Sequence, residues 1–192
     1  MPTTPETKYV AIIGSSAGGP RILKEIFEDL PRLHGSIILI QHMPNFINDS
    51  LCRTLDMCTE MTVKVAEDGE FLRDGIVYIA PSEVHLYLSE NKRISLKKGE
   101  KVNWVCPAID VVMKSLVRKP YYKLMGIVLT GMGRDGADGL VYMKSLGAIT
   151  VAQDAESAIV NGMPKEASQT GRVDFILTPA QIKNKLIAEL GY

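Results

Sequence analysis

The chain has 192 residues, 46% hydrophobic and 23% charged, which suits one globular domain with a full core. Its 22 basic and 22 acidic residues cancel to a formal net charge of zero, so there is no basic excess of the kind nucleic-acid binding normally leaves. No apolar run approaches the ~20 residues that span a bilayer, residues 1–8 lack the apolar stretch of a signal peptide, and Cys52, Cys58 and Cys106 show no Cys-x-x-Cys spacing. The expectation is a single cytoplasmic domain over 1–192, monomeric and not membrane-inserted, with a polar tail at 1–8 too short to hold a further domain.

Residues 9–13 form an apolar run that predicts a buried strand, and Gly14-Ser15-Ser16-Ala17-Gly18-Gly19 follows it. Pro20 suits a helix start, and Ile22, Leu23, Ile26, Phe27 and Leu30 make one apolar helix face before Pro31. A second apolar strand at 36–40 leads into Gln41-His42-Met43-Pro44, then a helix over 46–55 and an alternating strand at 62–67. Uniformly apolar strands between amphipathic helices predict an α/β, doubly wound, mainly parallel sheet covered on both faces. Around 76–96, three short strands separated by polar turns predict an antiparallel hairpin extension. The charged loop 97–101 reads as a solvated surface. Beyond it come a helix over 106–118, a buried strand at 124–129, the glycine-rich loop 130–139, a helix to about Leu146 and a strand at 148–152. A short helix from Met163-Pro164, a strand at 173–177 and a helix capped by Thr178-Pro179 complete the chain.

A strand, a tight glycine turn and a helix serve two kinds of chemistry. One is anion binding by helix-start N–H groups. The other is a nucleophile elbow, Gly-x-Ser-x-Gly, which Gly14, Ser16 and Gly18 fit. Gly14 and Gly19 have the spacing of a P-loop, but Pro20 and Arg21 stand where Lys and Ser or Thr are required. A dinucleotide fingerprint needs glycine at Ser16. The elbow alone meets its own requirements.

In an open parallel sheet, functional residues collect beyond the carboxyl ends of the strands. Three predicted strands are followed there by Ser16, His42 and Asp135. A serine hydroxyl needs a base to accept its proton, and a carboxylate on the other ring nitrogen fixes the tautomer of that base. Each residue also has a plainer reading: His42 as a hydrogen-bonded rim residue, Asp135 with Asp138 as cation ligands. That loop lacks the further acidic ligands and closing Glu of a calcium site, so neither metal nor cofactor is expected. Of the other two histidines, His34 reads as solvated and His85 as structural.

Taken together, Gly14-Ser15-Ser16-Ala17-Gly18-Gly19-Pro20, Gln41-His42-Met43-Pro44, Pro107-Ala108-Ile109-Asp110, Leu129-Thr130-Gly131-Met132-Gly133-Arg134-Asp135-Gly136 and Gly162-Met163-Pro164 resemble the catalytic domain of the CheB family of chemotaxis methylesterases. The resemblance runs from about Tyr9 to about Leu190. It implies hydrolysis of glutamate γ-methyl esters on the cytoplasmic helices of methyl-accepting chemotaxis receptors and, in many members, deamidation of receptor glutamines. It further implies Ser16 as nucleophile, His42 as general base, Asp135 as its orienting carboxylate, and the backbone N–H groups of Met132 and Ala17 as oxyanion donors. The alternative is a catalytically idle receptor-binding or scaffold domain of the same fold. Two features depart from the family pattern: members usually carry a regulatory receiver domain ahead of this one, which residues 1–8 are not expected to hold, and Cys106 stands where an arginine often precedes the Pro-Ala-Ile-Asp motif, which bears on substrate preference.

Overall fold

The computed structural model describes residues 8–119 and 122–191, so the predicted tail lies, except for Lys8, outside the described residues. Seven parallel strands make the main sheet: β1 Tyr9–Ser15, β2 Ser36–Gln41, β3 Thr62–Val65, β4 Ile76–Ile79, β7 Lys123–Val128, β8 Ile149–Gln153 and β9 Phe175–Leu177, in the order β3-β4-β2-β1-β7-β8-β9. β5 His85–Leu88 and β6 Ile94–Lys97 form a separate antiparallel pair. Predicted and observed architecture agree, with one adjustment. Residues 76–79 belong to the parallel sheet between β2 and β3, and only β5 and β6 form the hairpin. Val77, Tyr78 and Ile79 are all fully buried, and a strand buried on both faces needs neighbours on both edges and layers above and below.

Successive side chains of a strand point to opposite faces, and β1 shows how this divides the core. Ala11 and Ile13 pack with α1 Gly19–Phe27, α2 Asn48–Asp56 and α6 Pro179–Leu190 on one side. Val10 and Ile12 pack with α3 Ile109–Lys114, α4 Ala137–Ser145, α5 Gly162–Gln169 and the β5–β6 pair on the other. Each fully buried Ile or Leu in these layers contributes roughly 1.5–3 kcal/mol by leaving water. The start of α6 follows from its sequence: the Thr178 hydroxyl accepts the Gln181 N–H while the Gln181 side chain accepts the Thr178 N–H. By contrast, α3 is shorter than the predicted 106–118. Its first N–H groups are held by a carboxylate from another loop, which sets its start at Ile109.

From the central strand β1 the chain first winds one way, through β2 to β4, and later the other way, through β7 to β9. The crevice at this reversal lies beyond the ends of β1, β2 and β7. Helix α3 presses close to it. An ideal Cβ on Gly14 would stand 2.4 Å from Ile109 Cδ1, with two more Ile109 carbons within 2.7 Å. Gly14→Ala is therefore expected to destabilise the fold by about 1–3 kcal/mol through overpacking, read as a lowered denaturant midpoint. An unchanged midpoint would mean that Ile109 repacks freely and α3 is not seated on β1.

Candidate active site

Ser15 of β1 and Gln41 of β2 are register partners, so Ser16 and His42 are the next residues on two neighbouring parallel strand tips, roughly 4.8 Å apart at the backbone. The His42 N–H donates to the Ser15 carbonyl at 3.0 Å, and the Ser16 N–H donates to the Thr130 carbonyl at 2.9 Å, tying the serine turn to both neighbours. Gln41 strengthens the first tie. Its buried amide accepts the Ser15 hydroxyl at 2.6 Å and donates to the Ser16 and His42 carbonyls, each at 2.9 Å. Gly19 leaves room for it, since a Cβ there would meet Gln41 Oε1 at 1.9 Å.

After Ser16 the chain turns sharply through Gly18, whose φ of 80° is left-handed and favours glycine. The β7 loop returns against the serine: a Cβ on Gly131 would lie 2.7 Å from Ser16 Cβ. Among the described residues, neither the Ala17 N–H nor the Met132 N–H donates to a protein acceptor, and both residues are exposed. Thr130 holds their loops together, its hydroxyl donating to the Ala17 carbonyl and accepting the Val160 N–H, each at 2.9 Å.

His42 is nearly buried, and its Nε2 donates to Asp135 Oδ2 at 2.9 Å. Nδ1 is thus the ring nitrogen left to accept a proton, and with Nε2–H fixed on a carboxylate the ring can hold the resulting positive charge. Ser16 Oγ makes no hydrogen bond among the described residues, as is common for a nucleophile before substrate binds. Asp135 is held from three further sides. Its Oδ2 also accepts the Ile109 N–H at 2.7 Å, and its Oδ1 accepts the Asp110 N–H at 3.1 Å and Asn103 Nδ2 at 2.9 Å.

Asp110 returns the arrangement. Its Oδ1 accepts the Gly136 and Gly139 N–H groups at 3.0 and 2.7 Å, and its Oδ2 accepts Asn103 Nδ2 at 2.8 Å. Each aspartate thus satisfies orphan N–H groups at the start of the other's helix, and one asparagine amide bridges the two carboxylates. Burial pushes the Asp135 carboxyl up, but the hydrogen bonds from His42, Asn103 and Ile109 outweigh it, so the acid is stronger than usual. For Asp110 burial prevails over the Gly139 and Asn103 hydrogen bonds, and the Asp135 charge adds to it, so this carboxyl is raised.

The remaining polar residues are structural. His85 is buried; its Nδ1 accepts the Ala108 N–H at 3.3 Å and its Nε2 meets the Glu100 carbonyl at 2.9 Å. Asp138 pairs with Arg134 at 2.8 Å on the surface. No group of three or more His, Cys, Asp or Glu suited to a metal occurs among the described residues, nor does any helix long and apolar enough to cross a membrane.

A family model described as CheB methylesterase matches residues 11–186. The chain belongs to the CheB methylesterase family. Its relatives include proteins named protein-glutamate methylesterase/protein-glutamine glutaminase from Thermotoga maritima, 41% identical over 93% of this chain and 53% of the relative, and from Pyrococcus horikoshii, 38% identical over 97% and 51%. The chain therefore spans about half the length of the curated relatives it matches. The crystal structure of the Thermotoga maritima CheB methylesterase catalytic domain superposes with a TM-score of 0.86 at 39% identity, covering 93% of this chain and 97% of that one. Membership of the CheB methylesterase family agrees with the resemblance carried by the motifs.

The structure brings the predicted Ser16, His42 and Asp135 to one end of the sheet, and the residues that hold them there had no role in the sequence reading. Gln41 and Asp110 stood inside quoted motifs without a role, and Asn103 stood outside every motif. The available signal was an Asp just inside a predicted helix, a position where a carboxylate reaches helix-start N–H groups; which helix it serves depends on tertiary packing.

The two shifts have opposite consequences for stability. Asp135, lowered, contributes stability that is present above its unfolded pKa and is lost as pH falls through its folded value; Asp110, raised, loses stability as pH rises through the window up to its own. On acidification Asp110 is expected to take its proton first, above the ordinary aspartate range, and Asp135 last, below it. Carboxyl carbon NMR titration reads both, and the reverse order would contradict the hydrogen-bond assignment.

Proposed function

We propose that this chain is a serine hydrolase that removes methyl groups from glutamate γ-methyl esters of methyl-accepting chemotaxis receptors and deamidates receptor glutamines. In this reading it works in the cytoplasm on the receptors' helices. The observation that carries the reading is the 2.9 Å contact between His42 Nε2 and Asp135 Oδ2 on the strand tip beside Ser16. The names of the relatives support the substrate class.

Ser16 Oγ attacks the ester carbonyl carbon while His42 Nδ1 takes the hydroxyl proton. Asp135, ionised and fixed by backbone donors, stabilises the imidazolium through Nε2–H. The carbonyl oxygen becomes an oxyanion, and the exposed N–H groups of Ala17 and Met132 are the donors available to it. His42 then gives its proton to the departing methoxide, releasing methanol and leaving an acyl-serine. Water, deprotonated by His42, attacks the acyl carbon, and Ser16 leaves with that proton; the carboxylic acid formed releases its own proton to solvent, so the product is the glutamate carboxylate. A glutamine side chain follows the same course with ammonia as leaving group.

Methanol release from methylated receptor membranes is the direct test. Ser16→Ala and His42→Ala are each expected to abolish it. Asp135→Asn, which presents an amide where the imidazole needs an acceptor, is expected to slow it by roughly 10³- to 10⁴-fold. Wild-type release by Ser16→Ala would overturn the mechanism, and an inactive wild type that still binds receptor fragments would favour the scaffold alternative.

A further inference from the structure

Trp104 is the chain's single tryptophan and is 91% exposed. Apolar residues that stand singly on a surface are ordinary, so exposure alone carries nothing. The backbone beneath it is more informative. Val102 and Val105 exchange both N–H···O bonds at 3.1 Å, closing a two-residue turn whose central residues, Asn103 and Trp104, have φ of 52° and 68°. Turns with both central residues left-handed favour Asn followed by Gly. A bulky aromatic at the second position is strained, and strain of this kind collects at sites with a task.

The two residues of the turn face different ways. Asn103 is anchored inward between Asp110 and Asp135. Its neighbour is thereby held outward, where the indole lines a cleft of about 450 Å³ together with His42, Met43, Glu83, Lys101 and Cys106. The asparagine that holds the carboxylate on His42 is thus the direct chain neighbour of an indole standing in water. Around the turn, exposed Lys97, Lys98 and Lys101 outnumber exposed Glu83 and Glu100, so the approach to the indole carries a small positive excess. Two further apolar side chains border the serine turn: Met132, 75% exposed and next to Gly131, and Ile159, 49% exposed and against Gly18.

We infer that Trp104 is a docking residue for an acidic polypeptide substrate. The scissile glutamyl side chain occupies the space at Ser16 and His42, so whatever also covers the indole is the chain that bears it. An apolar side chain or aliphatic stem of that chain packs on the indole, and its flanking carboxylates face the three lysines. On a backbone already fixed, tryptophan offers a large apolar face with few torsions left to order, and it is enriched at the hot spots of interfaces. The inference rests on the Ser16–His42–Asp135 reading for the position of the scissile group.

Two measurements test it. First, the Ser16→Ala protein, whose only indole is Trp104, is titrated with a tryptophan-free, methylated cytoplasmic receptor fragment. Its emission is expected to shift to the blue and to become less accessible to acrylamide. Second, Trp104→Gly keeps a turn that glycine prefers while removing the indole. Its kcat/KM on the fragment is expected to fall by roughly tenfold or more, mainly through KM, and by at least that factor more than its kcat/KM on p-nitrophenyl acetate, which is too small to span the cleft. An emission maximum that does not move over the concentrations at which wild type turns the fragment over would overturn the docking role, as would equal losses on both substrates. Should Ser16→Ala remain active, the nucleophile assignment fails, while the fluorescence arm, which needs no chemistry, still decides the docking role.

Discussion

The organisation of this molecule depends on two buried aspartates that serve each other's helices. Asp135 receives the first N–H groups of α3, Asp110 receives those of α4, and Asn103 lies between them donating to both. Removing a carboxylate from water is expensive unless its oxygens are fully hydrogen-bonded. Here every carboxylate oxygen accepts at least two hydrogen bonds or shares the asparagine amide, which outweighs burial at Asp135 and offsets part of it at Asp110. Because Asp135 cannot move, the ring of His42 has one orientation. Because Asp110 closes the start of α4, the loop that carries Asp135 has one as well.

The same cluster reaches the Ser16 turn through packing. Ile109, whose N–H is bound by Asp135, fills the space that Gly14 leaves open two residues before Ser16. Beside β1, Gln41 joins the tips of β2 and β1 through two hydrogen bonds, to Ser15 and Ser16. Ser16 therefore sits on a strand end clamped from both flanks, while its own hydroxyl is left for substrate. Positioning of this kind is what converts three ordinary side chains into a reactive set, since displacement of about 1 Å can lower a rate by roughly 100-fold.

Much of this was legible in the sequence because it is written in local pattern. Apolar runs such as 36–40 announced strands buried on both faces, Thr178-Pro179 announced a helix cap, and Ser16, His42 and Asp135 each followed a strand end. What was not legible depends on residues distant in the chain. Residues 76–79 pair between β2 and β3 because three apolar side chains in a row need cover on both faces, yet short spacing to the next strands resembles a hairpin. Asn103 and Trp104 lie in a turn without a glycine, so nothing local signals a left-handed pair there. Gln41 and Asp110 gain their roles only when β1 and α4 are brought beside them. That His42 meets Asp135 through Nε2, leaving Nδ1 free of that contact, is a matter of ring orientation that no spacing encodes.

The central claim is that His42, oriented by Asp135, activates Ser16. Reaction with a serine-directed fluorophosphonate tests it without assuming any particular substrate. The account predicts one adduct per chain, located on Ser16 by peptide mass, with labelling strongly slowed in His42→Ala. Adducts elsewhere in the chain, or labelling of Ser16 that proceeds equally fast without His42, would contradict it.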